Sequence, residues 1–235
     1  MELDRRTIAL FIDADNAPAG QFDRVISELA KFGVLSIRKA YGNWNGSRLN
    51  SWIDILHEYA IQPIQQFDLT KGKNATDMAM TIDVMDVLYA KNIDVFCIVS
   101  SDCDFTPLVT RLVSDGKEVI GFGERKAPDV FVNACSKFLY LEECSKDGST
   151  AVPSKSDPLK GNSKLIKTLR NAVEACDEGE GWAPLAGVGS HLINQGSFDQ
   201  RNFGFKKLSD LFKAIDLFDV KKSNSGLSWV KDIRS

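Results

Sequence analysis

Acidic residues at the ends of apolar segments are the residues of this chain best suited to chemistry. Several ionised carboxylates, each with an ordinary pKa near ~3.9, repel one another at pH 7, so a convergent group needs raised pKa values or a cation between them. A divalent ion is the simpler solution, because Mg²⁺ and Mn²⁺ take oxygen ligands and can orient a phosphodiester, activate water and stabilise the leaving oxygen. Asn16 can ligate an ion or donate a hydrogen bond without adding negative charge. The acids concerned are Asp13, Asp15, Asp77, Asp102 and Asp104.

Some of these acids also have structural explanations. Asp104 precedes the sequence Phe-Thr-Pro, which is typical of a helix N-cap with proline in the first turn, and Asp77 suits the positive end of its predicted helix. Asp13 is harder to explain in this way, because Asp-Ala-Asp-Asn places two charges at the end of an otherwise apolar strand. Asp83 and Asp86 lie farther along the helix of Asp77, and we interpret them as solvated or structural residues.

The predicted secondary structure brings the acids to one edge of a sheet. Strand patterns alternate with helical patterns, which indicates a three-layer α/β sandwich around a parallel sheet. Sites in such sheets form at the carboxyl ends of the strands, where the connections reverse direction, and with strand order 3-2-1-4-5 the first and fourth strands flank that point. Asp13 and Asp102 would then lie side by side. The predicted strands are Thr7–Ile12, Val34–Ala40, Gln62–Phe67, Val95–Ser100 and Glu118–Phe122.

The composition excludes several classes of site. The chain of 235 residues has room for one large or two modest domains, and no apolar run approaches the ~18 residues of a membrane span. The N-terminal sequence lacks the apolar core of a signal peptide, so we expect a cytoplasmic protein without membrane contact. Five cysteines without a CxxC pair indicate reduced thiols. Only two histidines occur, His57 and His191, which argues against His-rich metal sites and Ser-His-Asp catalysis.

Charge and composition divide the chain into two parts. Residues from Leu159 onward carry 12 basic and 9 acidic side chains, whereas the remainder carries 17 and 23. An acidic first part with a slightly basic tail indicates local, metal-bridged contact with nucleic acid rather than binding by bulk charge. The segment Ser145–Pro158 is rich in serine, contains two prolines and has almost nothing to bury, so it predicts a linker. We therefore expect one domain at residues 1–144 and a second at 159–235.

Five spaced segments of the first domain resemble NYN domains, and within them the LabA-like proteins of bacteria. They occur in the right order over about 140 residues, which makes the set more specific than any single segment. The segments are Phe11–Asn16, Ala40–Trp44, Ala75–Met78, Val99–Phe105 and Gly116–Gly121. The resemblance implies a PIN-like, Rossmann-like fold with a Mg²⁺ or Mn²⁺ site that cleaves RNA. It assigns the roles of that site to Asp13, Asn16, Asp77, Asp102 and Asp104. Ser101 departs from the pattern, since relatives often have glycine there.

Cations near this edge of the sheet are needed to bring RNA past an acidic surface. Two candidates lie in the loop before Asp77 and two follow the fifth predicted strand, close enough for phosphate contact, although a charged run is often only a solvated loop. The candidates are Arg48, Lys71, Lys73, Arg125 and Lys126. Trp44 lies in a Gly/Asn loop after the second strand and could stack on a base or pack in the core.

Residues 162–235 predict three helices and a final hairpin. Two apolar stripes at helical spacing accompany a hairpin that joins Leu217–Lys221 to Leu227–Val230, and helices followed by such a wing indicate a winged helix. The spacing of apolar residues from Trp182 to Leu211 resembles the OST-HTH (LOTUS) domain. That resemblance implies binding of RNA or, in some members, of protein partners. The first cations to test for RNA contact are Lys206, Lys207, Lys221 and Lys222.

Three functions remain open at this point. The first is a metal-dependent endoribonuclease whose tail recruits single-stranded or structured RNA, and the second is an RNA-binding regulator with weak or no catalytic activity. The third is a phosphatase of the haloacid-dehalogenase type, since Asp13 and Asp15 are two residues apart. That chemistry also needs a small hydroxyl residue after the second strand and a later lysine, whereas Ser36 and Lys39 fall inside the strand pattern. A protein partner of the second domain and a homodimer are both left open.

Overall fold

The structure is a computed structural model that describes residues 6–45, 47–67, 74–141, 159, 162–179, 181–223 and 226–234. The chain divides into two units, Met1–Cys144 and Ser145–Ser235, and each is described by itself. The predicted linker Ser145–Pro158 lies outside the described residues.

Six parallel strands form the sheet of the first unit, in the order β3-β2-β1-β4-β5-β6. The predicted α/β class and the order of the first five strands are confirmed. The sixth strand is not predicted from the sequence, because four residues with half-buried ends give too short an apolar pattern. The strands are β1 (Thr7–Asp13), β2 (Val34–Gly42), β3 (Gln62–Gln65), β4 (Val95–Val99), β5 (Glu118–Gly123) and β6 (Lys137–Tyr140).

Alternating residues of β1 pack against two different helical layers. Ile8, Leu10 and Ile12 join the buried cluster of α1 and α2, whereas Ala9 and Phe11 join that of α3, α4 and α5. Side chains of successive strand residues point to opposite faces, so a strand that is apolar throughout requires a layer on each side. Each large apolar side chain buried in this way contributes roughly 1.5–3 kcal/mol. The helices are α1 (Phe22–Leu29), α2 (Asn50–Glu58), α3 (Ala75–Ala90), α4 (Thr106–Ser114) and α5 (Asp129–Ala134).

The described residues of the second unit form three α-helices, the 3-10 helix Gln200–Phe203 and a small antiparallel sheet of order β7-β9-β8. Its core is formed by apolar residues of all three helices and by Ala183, Phe218 and Val230 of the sheet. The two-residue strand β7 adds a third strand to the predicted wing hairpin. The elements are α6 (Ser163–Ala175), β7 (Ala183–Pro184), α7 (Leu185–Gln195), α8 (Leu208–Ala214), β8 (Phe218–Lys222) and β9 (Ser228–Asp232).

Among the described residues, no helix is long and apolar enough to cross a membrane.

Gly123, the last residue of β5, lies against the end of β4. A Cβ atom at this position would lie 2.5 Å from the Ser100 carbonyl oxygen and 2.9 Å from Cζ of Phe138. Because one of these neighbours is backbone, the crowding could be relieved only by moving the end of β4. Glycine at position 123 therefore keeps the carboxyl ends of β4 and β5 close together.

We predict that Gly123→Ala lowers the free energy of unfolding by about 1–3 kcal/mol, because the added methyl group overpacks this junction. Thermal or urea unfolding of the full chain measures the change. Gly20→Ala is the matched control, since no atom outside its chain neighbours lies within 4 Å of a Cβ at Gly20. Equal stability of the two variants would contradict the close approach at Gly123.

Candidate functional site

Asp13 ends β1 and is fully buried, with 0% of its surface exposed. Its Oδ2 accepts hydrogen bonds from the Ser100 hydroxyl at 2.8 Å and from the Asn16 side-chain amide at 3.0 Å. Its Oδ1 is also buried and has no hydrogen-bond partner among the described residues. Burial raises the pKa of Asp13 above its usual value, and the hydrogen bonds from Ser100 and Asn16 act in the opposite direction. An ionised carboxylate in this state is costly unless it takes up a proton or a cation is its partner.

Asp104 lies in the short 3-10 turn Cys103–Phe105 that follows β4, and Asp102 immediately precedes this turn. Asp102 caps this turn, because its Oδ1 accepts the backbone N–H of Asp104 at 2.9 Å, and its own N–H is donated to the Ser100 hydroxyl at 3.1 Å. Asp104 accepts a hydrogen bond from the side-chain amide of Asn74 at 2.7 Å. Asp104 is not the N-cap of the helix that follows, which was the structural role considered for it: the N-cap residue of α4 is Phe105, and Asp102 caps the preceding 3-10 turn. Asp104 is left with a side chain that is exposed and held by Asn74.

The thiol of Cys103 lies between these two acids. A carboxylate oxygen of Asp102, the sulfur of Cys103 and a carboxylate oxygen of Asp104 all lie within 4.8 Å of one another. Sequence reasoning missed Cys103, although its position between two motif acids was the available signal. The Cys103 thiol and the Asp104 carboxylate are both exposed to solvent.

Asp77 lies in the first turn of α3, and its pKa is affected by the charges of the other acids. The pKa of Asp77 is raised to about 6, first by burial and then by repulsion from Asp13, Asp102, Asp104 and Asp15, in that order. Repulsion of this kind requires the carboxylates to lie near one another. Asp77 thus lies close enough to the acids at the carboxyl ends of β1 and β4 for their charges to act on it, whereas the group of ligand atoms within 4.8 Å of one another in the described part of the chain contains only Asp102, Cys103 and Asp104.

Asp15 lies beside the cluster but already has partners. Arg48 forms an ion pair with its Oδ1, and the Thr76 hydroxyl donates to its Oδ2 at 3.2 Å. The side chain of Arg48 is 68% exposed, whereas that of Asp15 is 13% exposed. Arg48, a predicted phosphate contact, therefore neutralises an acid at the rim of the cluster. Thr76 was missed by sequence reasoning, because a threonine in a helical first turn carries no distinctive signal.

The other predicted RNA contacts of this unit have different surroundings. Lys71 and Lys73 lie outside the described residues. Arg125 is exposed, with its guanidinium 5.3 Å from the ring centroid of Tyr140, and Lys126 is exposed and forms an ion pair with Glu124.

Trp44 follows β2 and is held against the edge of the sheet. Its indole N–H donates to the Ile64 carbonyl at 3.0 Å, and its half-buried ring packs against the cluster of α1 and α2. Packing, the alternative considered for Trp44, accounts for these contacts.

Two acids farther along α3 have the surroundings expected for structural or solvated residues. Asp83 forms an ion pair with Lys39 at 2.7 Å and accepts a hydrogen bond from the Tyr41 hydroxyl. Burial and the nearby Asp83 carboxylate raise the pKa of the Tyr41 phenol, which therefore remains a hydrogen-bond donor. Asp86 is exposed.

The donor set fits a divalent cation. Within the described part of the chain the buried Asp13 Oδ1 has no hydrogen-bond partner, and burial together with repulsion from the other acids raises the pKa of Asp77. A positive ion beside these carboxylates would offset both effects. Carboxylate oxygens are hard ligands of the type that Mg²⁺ and Mn²⁺ prefer.

The fold and this site define a class of protein. A parallel three-layer α/β unit with acids gathered at the carboxyl ends of its first and fourth strands is typical of PIN-like nuclease domains. The sequence profile of the NYN domain matches residues 7–142, and that of the OST-HTH/LOTUS domain matches residues 158–230. The chain belongs to the NYN domain family, part of the PIN-like nuclease superfamily, and carries an OST-HTH/LOTUS domain after it.

Individual relatives extend this result little. An uncharacterized protein of Methanocaldococcus jannaschii is 31% identical over 120 residues, which are 49% of this chain and 47% of that protein. The chain thus matches about half the length of this curated relative.

Two solved structures are also similar. The crystal structure of a protein of unknown function from Vibrio parahaemolyticus covers 60% of this chain and 97% of its own, at 20% identity and a TM-score of 0.50, which supports the fold. A solution structure of an uncharacterized protein from Nitrosomonas europaea covers 38% of this chain and 90% of its own, at 30% identity and a TM-score of 0.29.

We predict that Asp77→Asn stabilises the metal-free protein in a pH-dependent way. The folded-state pKa of about 6 lies above the ordinary 3.8, so protonation of Asp77 favours the folded state. This contribution is fully present below about pH 3.8 and is lost as the pH rises through about 6. With chelator at pH 7.5 the variant should therefore melt about 2–4 °C higher than the wild type, which corresponds to ~1 kcal/mol for a chain of this size.

Thermal melts in chelator at pH 5 and pH 7.5 measure this difference, which should shrink at pH 5. Asp86→Asn is the control, because Asp86 is exposed on the same helix. A Tm difference for Asp77→Asn that is equal at both pH values would show that the acids do not repel one another at this position.

Proposed function

We propose that the protein is a metal-dependent endoribonuclease that hydrolyses phosphodiester bonds of RNA at the site of Asp13, Asp77, Asp102 and Asp104. The observation that carries the proposal is the buried Asp13 carboxylate, which has one oxygen without a partner among the described residues and lies among acids that raise the pKa of Asp77. Membership of the PIN-like nuclease superfamily supports the same function. The OST-HTH/LOTUS domain is proposed to recruit the RNA.

The four acids would hold a Mg²⁺ or Mn²⁺ ion, which when bound lowers the pKa of a coordinated water and neutralises charge on the phosphate. The chain's own contribution is to hold its ligands in place before the substrate arrives. Ser100 and Asn16 fix one oxygen of Asp13 and leave the other available, and the backbone N–H of Asp104 fixes Asp102. Ligands oriented by such supporting hydrogen bonds need little reorganisation during the reaction.

One observation favours an RNA-binding regulator with weak or no activity as a second candidate. Arg48 and Lys126, two of the cations expected to contact phosphate, are ion-paired with Asp15 and Glu124. Fewer cations are then available to hold the RNA backbone against an acidic surface. A phosphatase of the haloacid-dehalogenase type, the third alternative, gains no support from either family match.

We predict that Asp13→Asn lowers cleavage of a labelled RNA by about 100-fold or more, which exceeds the 10–100-fold effect typical of residues that only support a metal ligand. The variant keeps the shape of the side chain but removes its negative charge. Cleavage of single-stranded and structured RNA is measured with Mg²⁺, with Mn²⁺ and with chelator, and Asp86→Asn serves as the control with normal activity.

Cleavage that survives both the Asp13 variant and chelation would remove the enzyme proposal. Tight RNA binding without cleavage in the wild type under all metal conditions would instead establish the regulator.

Ser100→Ala should have an intermediate effect. Its hydroxyl donates to Asp13 and accepts from the N–H of Asp102, so its loss disorders two ligands without removing either. We predict a loss of about 10–100-fold in activity at limiting metal, in part recovered at high metal concentration. Titration of cleavage rate against Mn²⁺ measures it, and an unchanged metal dependence would contradict the positioning role of Ser100.

A further inference from the structure

Two indole rings and two lysines line one cleft at the wing sheet. We call this the wing cleft and define it by Trp182, Lys221, Lys222 and Trp229; its volume is about 690 Å³. Lys221 of β8 lies directly opposite Trp229 of β9 in the antiparallel register, and Trp182 immediately precedes β7, the other neighbour of β9. Strand pairing therefore places Lys221 and Trp229 side by side on one face of the wing sheet.

The aromatic rings of the wing cleft are accessible to a ligand. Trp182 and Trp229 are half-buried rather than fully packed. Among the described residues, the ring of Trp229 stacks on no other ring and has no cation over it. The ammonium of Lys221 lies 3.7 Å from the ring centroid of Trp182. This cation therefore lines the cleft beside Trp229, its partner in the strand register.

The cleft also combines charge with these rings. Lys221 and Lys222 are exposed, and Glu178 supplies one opposing carboxylate in the lining. The three side chains leave a net positive charge beside two indoles. Single-stranded nucleic acid matches this combination, because its bases stack on aromatic rings and its phosphates contact lysine. An acidic peptide would use the lysines but would leave the indoles without a role.

We propose that the wing cleft binds single-stranded RNA, with a base stacked on Trp229 and phosphates held by Lys221 and Lys222. The inference rests on the proposed function for the choice of RNA over DNA. The volume of the wing cleft falls within the ~300–1,000 Å³ typical of ligand sites. Stacking has no strong base preference, so this contact recruits RNA without selecting its sequence.

Binding of a fluorescein-labelled 12-nucleotide poly(U) RNA to the full chain tests the proposal in chelator, where cleavage is absent. Trp229→Leu keeps apolar volume but removes the stacking surface, and it should weaken binding by about 5–10-fold or more. Trp229→Phe restores an aromatic face and should recover most of the affinity. If Trp229→Leu and Trp229→Phe bind alike with unchanged thermal stability, stacking at this position is disproved.

The lysines are tested by a matched pair of double variants. Lys221→Ala/Lys222→Ala should weaken binding and reduce the slope of log Kd against log salt by about 0.7 for each phosphate that the protein no longer neutralises. Lys167→Ala/Lys213→Ala removes the same charge from two exposed lysines of α6 and α8 and should have the smaller effect. Equal weakening by both pairs would mean that overall charge, and not the wing cleft, holds the RNA.

Competition identifies the class of occupant. Unlabelled poly(U) should displace the probe, whereas a poly-glutamate peptide of equal length should not; displacement by the peptide alone would assign the cleft to an acidic protein partner. Cleavage assays on the same variants separate this inference from the proposed function. Metal-dependent cleavage that persists with wild-type RNA affinity in the wing variants would overturn only the wing cleft, whereas wing-dependent binding without any cleavage would overturn only the nuclease.

Discussion

The surroundings of the acidic site in the first unit are best understood from one interaction, the mutual repulsion of carboxylates that the sheet holds at one edge. Asp13 cannot move away from its neighbours, because it ends a strand that is buried on both faces. Its environment compensates only in part: two hydrogen bonds reach one oxygen, and the other oxygen has none from the described residues. Repulsion among these acids therefore destabilises the domain when no cation is bound. A bound cation would relieve this repulsion, as expected of a site that is organised for binding at some cost in stability.

The sequence predicts those parts of the fold that have long or fully buried apolar patterns. β1 and β4 could be located because nearly every residue in them is apolar, as expected of strands that are buried on both faces. In a parallel sheet, the acids that follow these strands then lie at the same edge. By contrast, β6 and α5 are only four and six residues long, which is too short for periodicity to distinguish them from loops. The third strand ends at Gln65, two residues before the predicted end, because strand ends depend on pairing with a neighbour and not on local sequence.

The candidate site shows a similar division. Charged residues that end apolar segments are conspicuous in a sequence, so the five acids could be named from it. Ser100, Asn74 and Thr76 were not, because a hydroxyl or amide group becomes important only when tertiary contacts place it beside a carboxylate. The same reason explains why Asp104, considered as the N-cap of α4, does not cap that helix, and why Asp102 caps the 3-10 turn before it. Ion pairs between Arg48 and Asp15 and between Lys126 and Glu124 depend likewise on the folded chain.

The Ser100 hydroxyl joins the ends of two adjacent strands through a single atom. It donates to the last residue of β1 and accepts from the turn after β4, next to the paired residues Ile12 and Val99. Interstrand pairing and the shared Ser100 oxygen, rather than the connecting loops, therefore set the separation of Asp13 and Asp102. Loops at this edge of the sheet can therefore change in length or sequence while the spacing of the acids stays constant. Domains built in this way can acquire new binding targets and keep the same reactive groups.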